Sequence, residues 1–282
     1  VTNSVQEARE SLGLRLREIR RDAGITQRRL SELAGWHESK TSRIEYGKQT
    51  PSDADLAAWC AHTGTSDQLP DLIATLRNIH AAYMEWRRVL GTGMRHRQQV
   101  SVRLEGNATA LRWYEPMVFP GLLQTPEYAE GILRRCIDFY GVPDDIEAAV
   151  AARIERQRVL YQGRRRFHFV IAEQALHTTV GDDEVMAGQL DRALTLMGLP
   201  RIAFGIVPLA ASYEAPAVHG FSMFDDQRVL VETISAELTI TQPRELAIFE
   251  KMFALLTEQA VYGDAARNLV TTALATRQER LR

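Results

Sequence analysis

Lysine is almost missing from this chain: three lysines stand against 31 arginines among 282 residues. The bias fits a GC-rich coding sequence and by itself says nothing about function. Only two cysteines occur, Cys60 and Cys136, far apart and in helical contexts. Neither makes a CxxC pair or a metal-ligand spacing, so buried thiols are expected rather than a metal or disulfide site. No apolar run approaches the ~18 residues of a membrane-spanning helix. The opening segment VTNSVQEARESLG lacks the basic-then-apolar pattern of a secretory signal, so cytoplasmic residence with no membrane partner is expected. Also missing are HExxH, GxSxG, P-loop and GxGxxG motifs. The Ser-Thr-Ser strand and Glu-x-Glu pair that ADP-ribosyl transfer wants are absent too. No enzyme activity is therefore expected, an enzymatic C-terminal domain standing as the lesser alternative, and no catalytic residue, cofactor or metal is assigned.

What is present is the composition of an ordinary globular protein, 45% hydrophobic and 25% charged. The formal charge of -2 hides a local difference. The first 50 residues hold ten Arg or Lys against seven Asp or Glu, and local charge matters more than the total for contact with phosphates. In that region Leu12, Leu16, Ile19 and Ala23 form one apolar stripe of a first helix. Thr26 is placed to cap a second, whose buried face is expected from Leu30, Leu33 and Ala34. Gly35 stands where the chain must leave that helix through a left-handed conformation. A third helix is expected from His37 to Tyr46, with Thr41 and Ile44 inward and Gly47 at its end. Ser52 and Asp55 stand in capping-box register for a fourth, packed by Leu56, Trp59 and Cys60. A fifth begins near Asp67. Two short helices joined by a tight turn are the layout of a helix-turn-helix DNA reader.

Thr26-Gln27, the run Leu30 to Gly35 and the run Ser39 to Lys48, followed by Pro51, resemble the repressor-type DNA-binding domain of the XRE (Cro/C1-like) family. The resemblance implies that the third helix enters the major groove. Glu38, Ser39 and Arg43 then fall at base-reading positions. Arg43 matches the bidentate pattern of guanine, and Glu38 either accepts from cytosine or repels wrong registers. Gln27, Lys40, Tyr46 and Lys48 are expected at phosphates, and Glu45 is expected to pair with Arg20 as a structural contact. Trp36 is read as core or turn packing and His37 as a helix-start residue. The resemblance also implies a homodimer on double-stranded DNA.

The remaining chain reads as a connecting helix and hinge over 77-105, broken at Gly91 and Gly93, and a larger domain over 106-282; the DNA-binding module is 1-76. Thr125-Pro126-Glu127 is a helix-start signature. Helices are expected over 144-162, 182-197, 243-258 and 264-280, and strands over 167-172, 201-208, 220-225 and 228-233, the last two joined as a hairpin. The fold class is thus α+β, an all-α five-helix module followed by a mixed α/β domain with a small sheet. PGLLQTPEYA, AARIERQRVL, IAEQAL, RIAFGIVPLAA, HGFSMFD and VLVET, in that order, look like the C-terminal domain of WhiJ-like or Scr1-type actinomycete regulators. That resemblance implies an antitoxin-like regulator and a small partner protein encoded nearby. A further reading makes the chain mainly a scaffold that sequesters that partner. Arg153, Arg156, Glu173, Glu232 and His219 are the candidates for a regulatory pocket, against the alternative of a salt-bridge network that fixes packing.

Overall fold

The computed structural model describes residues 2-78, 83-212, 214 and 219-282. The chain divides into two compact units, one of residues 1-83 with 239-246 and one of 84-238 with 247-282. The first unit is built from α1 (Thr2–Asp22), α2 (Gln27–Leu33), α3 (Glu38–Glu45), α4 (Asp53–Thr63) and α5 (Leu69–Asn78). Leu12, Leu16, Ile19, Leu30, Ile44, Leu56, Trp59, Cys60 and Leu72 form its core. Local chemistry explains the boundaries. Thr26 accepts from the Arg29 amide, and Ser52 with Asp55 closes a full capping box. Two stripe positions depart from expectation: Ala23 is exposed and so is Leu33, at 38%. Ala23 lies just past the end of α1, and α2 does not need Leu33 because it meets α3 through a buried hydroxyl pair, Ser31 Oγ to Thr41 Oγ1 at 2.7 Å.

The second unit begins earlier than the sequence suggests. Strand β1 (Tyr83–Glu85), the short α6 (Trp86–Val89) and α7 (Met94–Asn107) occupy the stretch expected to be a linker; residues 79-82 lie outside the described set. Trp86, Leu90 and Met94 share a buried cluster with Leu133, Ile137, Ile146 and Ala149, so this stretch is core and not a hinge. The chain continues as β2 (Ala110–Glu115), α8 (Pro126–Tyr140), α9 (Ile146–Arg156), β3 (Arg166–Ala172), α10 (Gln174–His177) and α11 (Asp183–Leu196). Then follow β4 (Ile202–Val207), β5 (Phe221–Phe224), β6 (Arg228–Glu232), β7 (Ala236–Ile240), α12 (Pro243–Gln259) and α13 (Gly263–Arg280).

The α+β class expected from the sequence holds, an all-α first unit with a mixed α/β second one. The sheet has seven strands in the order β1-β7-β6-β5-β2-β3-β4. Strands β2, β3 and β4 run parallel, which requires helical crossovers and supplies them as α8-α9 and α10-α11. On its other side β2 pairs antiparallel with β5, and β5 with β6. Strand β2 is therefore the seam between the two pairing modes. Its start is pinned by Asp225 in the β5-β6 turn, whose Oδ1 accepts from the Thr109 amide at 3.0 Å and the Ala110 amide at 2.9 Å. Phe167, Phe169 and Ile171 of β3 join Leu190 and Leu196 of α11 and Val270 of α13 in the main core.

At Gly13 the backbone of α1 passes close to the end of α3. A Cβ there would stand 2.5 Å from the Ile44 carbonyl oxygen and 2.6 Å from that of Glu45, and backbone atoms cannot swing aside. Gly13→Ala is expected to destabilise the first unit by about 1-3 kcal/mol despite alanine's better helix propensity. Urea unfolding followed by circular dichroism checks this; a stabilised variant would show that α1 can slide off α3 freely.

Candidate functional site

Two places in the chain gather chemistry. The first is α3. Its inward side carries Thr41, Ile44 and Glu45 at 0%, 1% and 4% exposure. Arg43, Tyr46 and Lys48 are exposed, and Ser39 and Ser42 are half-buried. Arg43 donates from Nε to Gln49 Oε1 at 3.1 Å, which leaves its outer guanidinium edge free to take a second acceptor. Gln49 was not singled out from the sequence, because it lies past the helix end. His37 caps α3 by accepting from the Ser39 amide at 3.3 Å. The side chain of Glu38 lies outside the described residues.

Behind that face the helix is held by a buried fork. Arg20 donates to Glu45 from Nε at 2.5 Å and from Nη2 at 3.0 Å, and to the Ile25 carbonyl at 2.6 Å. Gln27 adds a bond to Glu45 Oε2 at 2.5 Å. Lys40 pairs with Asp55 at 2.6 Å and lies over the Trp36 ring, 4.7 Å from its centroid. Burial pushes the Asp55 carboxyl up, but the bonds from Lys40 and Ser52 outweigh it and hold it below the usual carboxylate range. Gln27 and Lys40, expected at phosphates, are thus both engaged inside the fold. Trp36 packs near Trp59, ring centroids 6.0 Å apart.

The second place is a cavity of about 190 Å³ in the larger unit. One water occupies roughly 10-15 Å³ by the same measure, so this is room for a small organic molecule. Its floor is one face of β2, β5 and β6: Trp113 and Glu115, then Ser222 and Phe224, then Leu230 and Glu232. Its roof comes from α7, α8 and α9. Strand alternation explains the floor, since side chains two residues apart share a face.

Three arginines enter this cavity. Arg97 pairs with Glu237, a very close contact, and more loosely with Glu232 at 3.4 Å. Arg156 pairs with Glu105 at 3.2 Å and donates to Gln98 Oε1 at 2.9 Å. Arg153 differs. It donates to two neutral amides, Gln98 at 3.3 Å and Gln124 at 2.7 Å. No carboxylate lies within ion-pair distance of it among the described residues. Burial, and then the neighbouring Arg156 charge, bring its guanidinium down to about 10. Gln124 is itself fixed, donating to the Phe119 carbonyl at 2.7 Å while its own carbonyl accepts from Gln157 at 2.7 Å.

Glu115 closes the seam end of β2. Burial, with the Glu232 charge adding to it, pushes its carboxyl up to about 8 against the pull of a bond from Trp113. That bond, Trp113 Nε1 to Glu115 Oε1, is 2.9 Å long.

Of the five residues expected in a pocket, Arg153, Arg156 and Glu232 line this cavity and Glu173 and His219 do not. Glu173 accepts from the Leu209 amide at 2.8 Å and latches the loop after β4. His219 is exposed beside Phe249. Arg97, Gln98, Glu105, Glu115 and Gln124 were missed. Among the described residues no group of three or more His, Cys, Asp or Glu is placed to hold a metal, and no helix is long and apolar enough to cross a membrane.

Residues 11-73 match the family described as "Helix-turn-helix domain", so the first unit belongs to a class of DNA-binding folds. Residues 98-272 match "Domain of unknown function (DUF5753)", and the chain belongs to that family. No curated protein matches the chain.

Glu115 generates a pH prediction. Its folded carboxyl titrates near 8, against an ordinary 4.5. The unfolded chain therefore releases this proton first, and the residue costs stability increasingly as pH rises from 4.5 towards 8. Glu115→Gln is expected to gain stability over the wild type across that window, most at pH 8 and not at all below pH 4.5. Urea midpoints at pH 5 and pH 8 measure it; an equal difference at both values refutes the buried neutral acid.

Proposed function

We propose that the chain is a sequence-specific DNA-binding transcriptional regulator of the XRE type, acting as a dimeric repressor. The observation that carries this is the outward face of α3. Arg43, Tyr46 and Lys48 are exposed on or just after a helix whose inner side is locked by the Arg20–Glu45 fork. A reading helix must be rigid behind and free in front. Bases are read by side chains held in register, and phosphate contacts set that register. In this reading Arg43 addresses a guanine edge, Ser39 and Glu38 flank it, and Tyr46 and Lys48 address phosphates. One such module covers a single half-site, so two copies act about one helical turn apart. In this reading the larger domain, as the remaining part of the chain, supplies the dimerisation that two half-sites require and senses a partner protein or ligand. No catalytic role is assigned to it.

A second reading, in which the chain mainly sequesters a small partner protein and represses its own operon in passing, is favoured by one observation. Phe139 and Ile234 are 71% and 80% exposed. Tyr140, next to Phe139, donates to the Ile234 carbonyl at 2.8 Å, so the two segments that carry these side chains meet. Co-expression with the product of the neighbouring small gene separates the readings: a stable complex that still binds operator DNA favours regulation, and one that abandons it favours sequestration.

The test of the main reading is a mobility-shift assay on the upstream region of its own operon. A shift is expected at low salt and micromolar protein, and its absence sinks the proposal. Arg43→Ala is expected to weaken operator binding by about 1-3 kcal/mol and to relax one position of the site. If the variant weakens all sequences equally, Arg43 contacts phosphate and the base-reading assignment is wrong.

A further inference from the structure

The reading of the larger domain as a sensing domain leaves open what it senses, and the cavity narrows the answer. Its lining joins two chemistries. Trp86, Trp113, Phe119, Ile132 and Leu230 are aromatic or aliphatic. Beside them stand the three arginines, Arg97 lying over the Trp86 ring, 5.8 Å from its centroid. Two of these are neutralised, Arg156 by Glu105 and Arg97 by Glu237, carboxylates only 2% and 3% exposed. Arg153 is held in place by amide oxygens from Gln98 and Gln124, which orient a guanidinium without cancelling its charge. Its Nη2 makes no hydrogen bond among the described residues. A planar cation that is prearranged, unpaired and open to a cavity is the recognition group for a carboxylate.

The charge count sets the limit. Glu232 lines the cavity, but its side chain is 67% exposed and solvent screens it. The interior therefore has one cation in excess, enough for a monoanion and short of what a phosphate dianion needs. The buried Glu105 would also repel a second negative charge. We infer that this cavity binds an aromatic monocarboxylic acid, its carboxylate on Arg153 and its ring among Trp86, Trp113 and Phe119. The inference rests on the larger domain being the sensing part, but its test does not involve DNA.

The experiment titrates the full-length protein with phenylacetate, 3-phenylpropionate and indole-3-acetate by calorimetry, with tryptophan emission as a second readout. Phenylacetamide and phenyl phosphate are the matched controls. At least one acid is expected to bind with a Kd of about 1 mM or tighter, and the amide and the phosphate ester at least about tenfold more weakly. Arg153→Met should lose at least about tenfold in affinity, with Arg153→Lys in between. Three outcomes overturn the inference: no acid binds at about 10 mM, the amide or the phosphate ester binds as well as the acid, or a folded Arg153→Met variant binds unchanged. If Arg153→Met does not fold, the comparison of acid with amide on the wild type decides. A protein that binds the acid but never shifts its operator keeps this site and loses the regulatory reading; one that shifts its operator and binds no acid does the reverse.

Discussion

Three guanidinium groups in one wall are the constraint around which the larger unit is organised. A charge taken out of water must be matched by an opposite charge and hydrogen bonds, or it costs several kcal/mol. The matching here is done across distant elements. Arg97 on α7 finds Glu237 on β7, and Arg156 on α9 finds Glu105 back on α7. Gln98 accepts from both Arg153 and Arg156. Helix α7 is thereby tied to the sheet on one side and to α9 on the other. The wall is rigid for the same reason that it is polar, and a rigid polar wall is what separates a cavity from a packing defect.

That arrangement explains why the linker expectation failed. On α7 the polar residues Arg97, Gln98, Ser101 and Glu105 are 2-8% exposed, while Val102 is 45% exposed. A hydrophobicity pattern read from sequence turns such a helix inside out, making a solvated face of what is the buried one. The residues that bury it lie about 135-140 positions away in the chain, at Glu232 and Glu237, beyond any local signal. Strand β2 was lost for a related reason. Its fixed start depends on Asp225, more than 110 residues downstream. Short LRWYE carries no turn chemistry of its own that marks it as a strand.

The first unit was legible because its determinants are local. Thr26, Ser52 and His37 cap helices within three residues of themselves, and a glycine or proline punctuates each turn. The cap and the stripe together fix where a helix starts and which side it buries. Even there, the details that turned out differently are tertiary. Leu33 looked like core from its spacing and is not, because Ser31 and Thr41 already make the contact between α2 and α3. Lys40 looked like a free cation and instead answers Asp55, a carboxylate that the capping box had already explained.

An occupied cavity does not by itself regulate anything. A ligand that binds the folded unit stabilises it by mass action, and that term is the same whether or not DNA is bound. Control requires the acid to prefer one of two arrangements that differ in DNA affinity, and DNA must then bias acid binding by the same factor. To change DNA affinity tenfold, the preference need be only about 1.4 kcal/mol, less than one charge-assisted hydrogen bond to Arg153 would contribute. The cavity is therefore strong enough for control if α7 or α9 shifts on occupancy by even the length of that one bond. Gln98 accepts from both Arg153 and Arg156, and Arg156 pairs with Glu105, so the site and helix α7 share one connected set of contacts through which such a preference would have to act.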